Sequence, residues 1–467
     1  MMITRRPLLM GAAAAGLMAG NAYAQSAADF MGEWNGALNM GSQTLRLRLV
    51  VAEGPTSTLY SVDQGNSAIP VGTTTIAGGR ITLDIPAIRG SFTGELRNGR
   101  IEGQFTQGGT LPLVFQRGEA TAGTTEALTQ ARLEALRAGI NTPAMAAAAT
   151  KSGGRSIAFA TGLRAIGHEQ RVTTSDKWHL GSITKSMTAT LVARLAEAGR
   201  ISWTDTVGGV LGNAIPDMRA EYRDVTFRHL CSHRSGLQGN IEMSDLLGFS
   251  RISDDARAER IRYASLGLHQ EPSGPKETTF EYSNTGYVIV GAMLETKMGA
   301  PWERLIQEHV FNPLGMSSAG HGPPGTAGAY DQPLGHMPNA AGVMEPQAPN
   351  NGDSDNPVAL GPAGRVHANF EDVQKYLMAH CAMREGFLNR ESWQTLHTPP
   401  FGGPYAMGFS RQGNALWHNG SNTLWYAEVM FDQSRGIVAA AAANDGRAGD
   451  LRAPVGSALI ESAQAVV

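Results

Sequence analysis

The sequence predicts an α+β protein in two parts, a small all-β module over residues 25–120 and a larger mixed domain over residues 121–467. Three observations predict it. Short runs that alternate apolar and polar residues, separated by glycine- and asparagine-rich turns, fill the chain up to about residue 118. A helical period takes over at Thr125–Gly139, where Leu128, Leu133 and Leu136 share one side. Apparent strands return after residue 400, at Tyr405–Ser410, Ala415–His418, Tyr426–Phe431 and Ile437–Ala442. Strands and helices in separate blocks, not in strict alternation, read as α+β.

The chain opens with an export pattern. Thr4-Arg5-Arg6-Pro7-Leu8-Leu9-Met10 is a twin-arginine motif, followed by an Ala- and Gly-rich apolar run and the small-residue site Ala22-Tyr23-Ala24. Residues 1–24 are therefore expected to be a signal peptide, cleaved before Gln25, which implies a periplasmic or secreted protein. The apolar run is too short for a stable membrane span of about 20 residues. Removing Arg5 and Arg6 takes the formal net charge from −3 to −5.

The all-β module reads strand by strand. Leu45–Val51, Arg80–Ile85, Gly90–Leu96, Ile101–Phe105 and Leu111–Phe115 each alternate. Asn98-Gly99 between two of them is a hairpin signal, because both residues of a type I′ turn need positive φ. The expectation is a small antiparallel barrel or sandwich. Gly32-Glu33-Trp34-Asn35-Gly36 ahead of this meander is similar to lipocalin-like barrels. Two roles stay open for it, ligand or substrate gating and a structural appendage. A Gly- and Thr-rich joint around 118–125 leads into the second part.

In the mixed domain, Ser156–Ala160 and Trp178–Leu180 read as strands, and Ser182–Gly199 as a helix closed by its glycine. The composition, 42% hydrophobic and 17% charged, is that of a soluble globular protein, and the length is ample to bury a core. No basic stretch suggests nucleic acid as a partner. Cys231 and Cys381 sit in apolar helical segments and read as buried free thiols, with a disulfide between them in an exported protein as the alternative. His229 and His233 have the spacing of a metal pair but lack a third ligand, and read as helix-end packing.

Chemistry enters at Ser182-Ile183-Thr184-Lys185. A serine three residues before a lysine puts both on one helix face, a turn apart. The serine sits where helix N–H groups are unpaired and the macrodipole favours developing negative charge. Tyr282-Ser283-Asn284 and His418-Asn419-Gly420-Ser421 follow in order.

Ser-x-x-Lys, Tyr-x-Asn and His-x-Gly in this order resemble the penicillin-recognising serine hydrolases, in the branch of class C β-lactamases, DD-carboxypeptidases, D-aminopeptidases and esterases. Val225–Leu237, Phe280–Tyr287, Val310–Met316 and Gly361–Val366 are similar to further landmarks of that family. The resemblance covers residues 125–460 and implies a β-lactamase/DD-peptidase-like domain. Its antiparallel sheet would be assembled from both ends of the segment, with helices around it and the helical middle as a second lobe. It implies Ser182 as nucleophile, with Lys185 or Tyr282 as general base, the choice open because the two would titrate as a coupled pair. A Lys185 ammonium is expected to lower the Tyr282 pKa. Asn284 would orient the substrate and Lys185. His418 would donate to a substrate carboxylate or to Tyr282. Gly420 and Ser421 would line the site, with the Ser182 and Ser421 N–H groups as oxyanion hole.

Where most β-lactamases of this branch carry lysine, position 418 is histidine. Asn422-Thr423-Leu424-Trp425-Tyr426 also stands where relatives often have Pro-Gly-Phe, and the polar loop 350–356 precedes the glycine turn. The expected activity is hydrolysis of a small ester or a D-configured amide or peptide. A β-lactamase and a sensor that acylates without turnover are the alternatives. The expected partner is a small-molecule or peptide substrate, with no cofactor, no metal, no nucleic acid and no membrane span after signal removal.

Overall fold

The computed structural model describes residues 26–467 except 40–43, 55, 62–66, 108, 118–126, 350 and 353. The expected signal peptide and the joint around 118–125 lie outside the described residues. The chain divides into two compact units, the first built mainly from residues up to 120 and the second mainly from 121 onward.

The first unit carries one sheet of nine strands: β1 (Gly32–Asn39), β2 (Thr44–Ala52), β3 (Thr56–Ser61), β4 (Ser67–Pro70), β5 (Thr73–Ala77), β6 (Arg80–Ile85), β7 (Gly90–Arg97), β8 (Arg100–Thr106) and β9 (Thr110–Gln116). Their order in the sheet is β4-β3-β2-β1-β9-β8-β7-β6-β5, so the first strand pairs with the last. The two edge strands, β4 and β5, are consecutive in sequence with only Val71 and Gly72 between them. A step of three residues, from Pro70 to Thr73, reaches about 11 Å at most. The adjoining ends of the two edges therefore lie near each other, and the sheet curls into a half-barrel whose edge strands β4 and β5 do not pair. Inward residues Phe30, Trp34, Leu49, Ile81, Leu83, Phe92, Ile101 and Phe115 are buried and fill the interior. At the β7–β8 hairpin Asn98 and Gly99 have φ of 50° and 76°, the turn that the Asn-Gly pair signals.

Strands β3, β4 and β5 were not among the expected ones. They are short, Thr- and Ser-rich and only partly buried, so no apolar face marks them.

The second unit is built on a six-stranded antiparallel sheet. Its strands are β10 (Ala144–Lys151), β11 (Ser156–Gly162), β17 (Ser410–Gln412), β18 (Ala415–Ser421), β19 (Tyr426–Asp432) and β20 (Ile437–Ala443), in the order β11-β10-β20-β19-β18-β17. Both ends of the segment thus contribute, and β10 pairs with β20 from Met145↔Ala443 to Lys151↔Ile437. The short strands β12 (Lys177–His179), β13 (Gly320–His321) and β16 (Val366–Asn369) form a three-stranded sheet, and β14 (Gly335–Pro338) pairs with β15 (Met344–Gln347).

The six-stranded sheet is buried on both faces. Ala144, Ala146 and Ala148 of β10 face the main core with Val438, Ala440 and Ala442 of β20. Met145, Ala147 and Ala149 face the other side, with helix α1 (Gln130–Gly139) and the C-terminal helix Ala448–Gln464. Two apolar faces leave no polar alternation, and alanine has low strand propensity, so β10 is silent in the sequence. The expected strand Tyr405–Ser410 is a single bridge between its two ends, with regular structure only from Ser410. Gly408, at φ 83°, breaks it where the backbone passes Ser186.

Candidate active site

Strand β12 runs into a tight turn, Gly181–Ile183, and then into helix α2 (Thr184–Glu197). The turn is pinned from the N-terminal side, where the Leu180 N–H donates to Val366 O and the Val366 N–H donates to Thr184 Oγ1. It holds Ser182 half-buried at the helix entrance and Lys185 fully buried one turn on.

Gly181 has φ 51°, and a Cβ on it would fall 2.4 Å from Ser421 N. A Cβ on Gly420 would fall 2.1 Å from Leu180 O and 2.5 Å from Ser182 N. Only two glycines let the helix entrance and strand β18 approach this closely. The approach brings the backbone nitrogens of Ser182 and Ser421 into one small region.

Lys185 Nζ lies 3.0 Å from Ser182 Oγ, 2.7 Å from Asn284 Oδ1 and 2.7 Å from Ala363 O. Asn284 begins the helix Asn284–Met298, whose N-cap Ser283 accepts from the Gly286 N–H at 2.9 Å. Its Nδ2 donates to Asn240 Oδ1 at 2.9 Å, which fixes Oδ1 toward the lysine. Ala363 lies in the turn Gly361–Gly364, and its carbonyl has no side-chain signature in the sequence.

Burial holds the Lys185 pKa well below the ordinary lysine value, because the ammonium is the form that loses hydration. Over a third of Tyr282 is open to solvent, 37% of its surface. Its hydroxyl end is nevertheless desolvated, which raises its pKa above the usual phenol value, with a hydrogen bond to Ser182 acting the other way. Nζ sits 4.9 Å from the Tyr282 ring centroid. The expectation that a Lys185 ammonium would lower the Tyr282 pKa is therefore reversed. Burial favours the uncharged form of both groups, amine and phenol. The contacts of Nζ fit the same state. Asn284 Oδ1 and Ala363 O can only accept and each take one N–H; Nζ donates its third N–H to Ser182 Oγ as an ammonium, and turns a lone pair toward the Ser182 hydroxyl as the neutral amine that burial favours.

His418 departs from the role expected for it. Nδ1 lies 2.5 Å from Asn419 O, a pure acceptor, so Nδ1 carries the proton. Nε2 then accepts from the Tyr405 hydroxyl at 3.1 Å. Both nitrogens are spent inside the protein, and burial pushes the pKa down to about 3. Its partner Tyr405 lies in irregular chain, and sequence reasoning missed it. Behind Tyr282, the Ser283 N–H donates to His233 Nδ1 at 3.0 Å, and the His233 ring stands 4.4 Å from the Tyr282 ring. His229 Nε2 meets Glu277 Oε1 at 3.0 Å, so the two histidines serve separate partners. Among the described residues no group of three His, Cys, Asp or Glu side chains is placed to hold a metal. Cys231 and Cys381 are buried and free.

The sequence profile of the Beta-lactamase family matches residues 129–460. The chain belongs to the Beta-lactamase family. Within it, the chain is 30% identical over 257 residues to penicillin-binding protein 4 of Amycolatopsis lactamdurans, covering 54% of this chain and 62% of that protein. It is 25% identical over 233 residues to the putative penicillin-binding protein PbpX of Bacillus subtilis strain 168, covering 50% and 53%. The chain thus spans between half and two thirds of these relatives' lengths. The D-amino acid amidase of Ochrobactrum anthropi SV3 superposes with a TM-score of 0.57 at 21% identity, over 70% of this chain and 96% of the amidase, and shares the fold. The Beta-lactamase-family match spans all three motifs, from Ser182 to Ser421.

Proposed function

We propose that this protein is an exported serine hydrolase that acts through an acyl-Ser182 intermediate on small neutral esters or D-configured amides. One observation carries the reading. Ser182 Oγ lies 3.0 Å from a buried lysine whose other two contacts are obligate acceptors at 2.7 Å. A serine hydroxyl needs a base, and a desolvated amine with its lone pair on that hydroxyl is one.

In this mechanism Ser182 Oγ attacks the acyl carbon while its proton passes to Lys185 Nζ. The N–H groups of Ser182 and Ser421 take the oxyanion, a contribution of about 10²–10³ in rate per donor. Tyr282, held as the phenol, donates to the leaving oxygen or nitrogen. The Lys185 ammonium then returns the proton to Tyr282, so the acyl-enzyme stage leaves both groups neutral again. Asn284 holds Lys185 in place throughout.

The substrate class follows from His418. A neutral histidine with both nitrogens engaged supplies no positive charge at that wall. Substrates with a free carboxylate, β-lactams included, lose the cation they would need there. Esters and neutral amides do not. A panel of p-nitrophenyl esters, D- and L-amino acid amides and a chromogenic cephalosporin tests this. Ester or D-amide turnover well above cephalosporin turnover is expected, and the reverse order overturns the substrate assignment. Export is checked by the N-terminus of protein expressed with its own leader, expected at Gln25.

A further inference from the structure

Beneath the site lies a buried carboxylate, Asp355, whose side chain is 2% exposed. It touches three segments. His179 Nε2 lies 3.2 Å from it, the Asn422 Nδ2 donates to Oδ1 at 2.9 Å, and Arg365 Nε is 3.2 Å from Oδ2. Each contact leads to the reacting region.

His179 is the last residue of β12, and its Nδ1 accepts from the Gly181 N–H at 3.2 Å. That contact fixes the tautomer, because an accepting Nδ1 leaves the proton on Nε2, aimed at the carboxylate. The ring is fully buried and stacks on Trp425 at 5.4 Å and 23°. A histidine–aspartate pair near a nucleophilic serine suggests a base, but this one has no free nitrogen. What it holds is the Gly181 turn, and with it the N–H of Ser182.

Asn422 follows Ser421 directly. Its Oδ1 accepts from the Leu424 and Trp425 N–H groups at 3.2 and 3.1 Å, which closes the β18–β19 turn. Inside that turn Thr423 has φ 74°. A β-branched residue reaches this left-handed region only when its surroundings hold it. Asn422 is the restraint, and Asp355 is what Asn422 is tied to. Arg365 balances the carboxylate's charge and adjoins Ala363–Gly364, the turn whose carbonyl holds Lys185.

We infer that Asp355 is a positioning residue for the oxyanion hole: one carboxylate grips the Gly181 turn through His179 and the β18 turn through Asn422, and so fixes the two backbone N–H groups relative to each other. The acid reads these two arms with its two oxygens. Oδ1 also accepts from the Asn356 N–H at 2.7 Å, and Arg365 stands on the Oδ2 side. An asparagine in its place turns one of the two acceptors into a donor, so the arm on that side must let go. The backbone donor on the released arm then drifts from the place the oxyanion occupies, while substrate contacts elsewhere stay as they were. The inference rests on the acyl-Ser182 reading.

The test uses full-length mature protein and the variants Asp355→Asn, Asn422→Ala and Ser182→Ala. The readouts are the rate of fluorophosphonate labelling, and kcat and KM on a p-nitrophenyl ester and its thionoester analogue. A well-set oxyanion hole favours the ester oxygen over the longer, weakly accepting sulfur. Asp355→Asn should slow labelling and kcat by about 10–100-fold, part of the loss expected on removing a donor outright. KM should move less than about threefold, and the ester-to-thionoester ratio should fall. Asn422→Ala should do the same, and the double variant should add little. Labelling or kcat within about twofold of wild type overturns the inference, and so does a lower kcat with an unchanged ester-to-thionoester ratio. Should Asp355→Asn fail to fold, Asn422→Ala decides between the same outcomes. Labelling that persists in Ser182→Ala refutes the acyl-serine reading instead, which separates the two failures.

Discussion

One added methyl group at position 420 should disable this enzyme without unfolding it. A Cβ there would stand 2.1 Å from Leu180 O and 2.5 Å from Ser182 N, both backbone atoms. Ordinary contact begins near 3.4 Å, so the strand and the helix entrance must part by about 1 Å. No side chain can swing away to relieve it. Overpacking of this kind costs about 1–3 kcal/mol, which a domain of this size survives. A misplacement of about 1 Å at reacting groups costs about 100-fold in rate. Gly420→Ala should therefore lower the fluorophosphonate labelling rate by about 100-fold, with a drop of a few degrees in Tm. Gly449→Ala is the control, because nothing lies within 4 Å of a Cβ there and it sits in the helix Ala448–Gln464. It should leave labelling unchanged. If Gly420→Ala labels within threefold of wild type, the close approach of the Ser182 turn and β18 does not set the reaction geometry.

Three other outcomes follow from the same structure. Lys185→Met should lower kcat by about 10²–10⁴-fold as a lost general base, and Lys185→Arg should not rescue it, because a guanidinium cannot give up its proton at working pH. Acid should destabilise the fold: burial holds His336 and His367 at about 4 and His397 at about 3, so below pH 6.5 the unfolded chain takes up protons that the folded chain refuses. Stability is then full above pH 6.5 and falls toward pH 4, by up to ~1.4 kcal/mol per pH unit per histidine, which Tm against pH will read. Arg260→Met should cost about 3–5 kcal/mol by urea unfolding, because Arg260 is fully buried and pairs with Glu295 at 2.6 Å and Glu303 at 2.7 Å, and its loss strands both carboxylates.

What the sequence disclosed depends on how local its cause is. Strands β6 to β9 were legible because each buries one face and shows the other, and the Asn98-Gly99 turn because its backbone demands those residues. Strand β10 was not, because an alanine run packed on both faces carries no period. At the site, Ser182, Lys185 and Asn284 could be named from their motifs, and they meet within hydrogen-bond distance. Charge states could not be named. They come from desolvation by the whole fold, which turned Lys185 toward the amine and Tyr282 toward the phenol. The duty of His418 was hidden for a related reason. Its partner Tyr405 comes from a stretch whose expected strand is broken at Gly408. Asp355 sits in a polar loop that the sequence places only ahead of the glycine turn, and the side chains it meets, His179, Arg365 and Asn422, are far from one another in the chain.

The central claim is that Ser182 is an acyl-accepting nucleophile. Intact mass spectrometry of the mature protein with a fluorophosphonate and with a β-lactam, beside Ser182→Ala, tests it most directly. A single fluorophosphonate adduct that disappears in Ser182→Ala, with little or no β-lactam adduct, is the predicted result. Folded wild-type protein that takes no adduct, or an adduct that survives in Ser182→Ala, would contradict it.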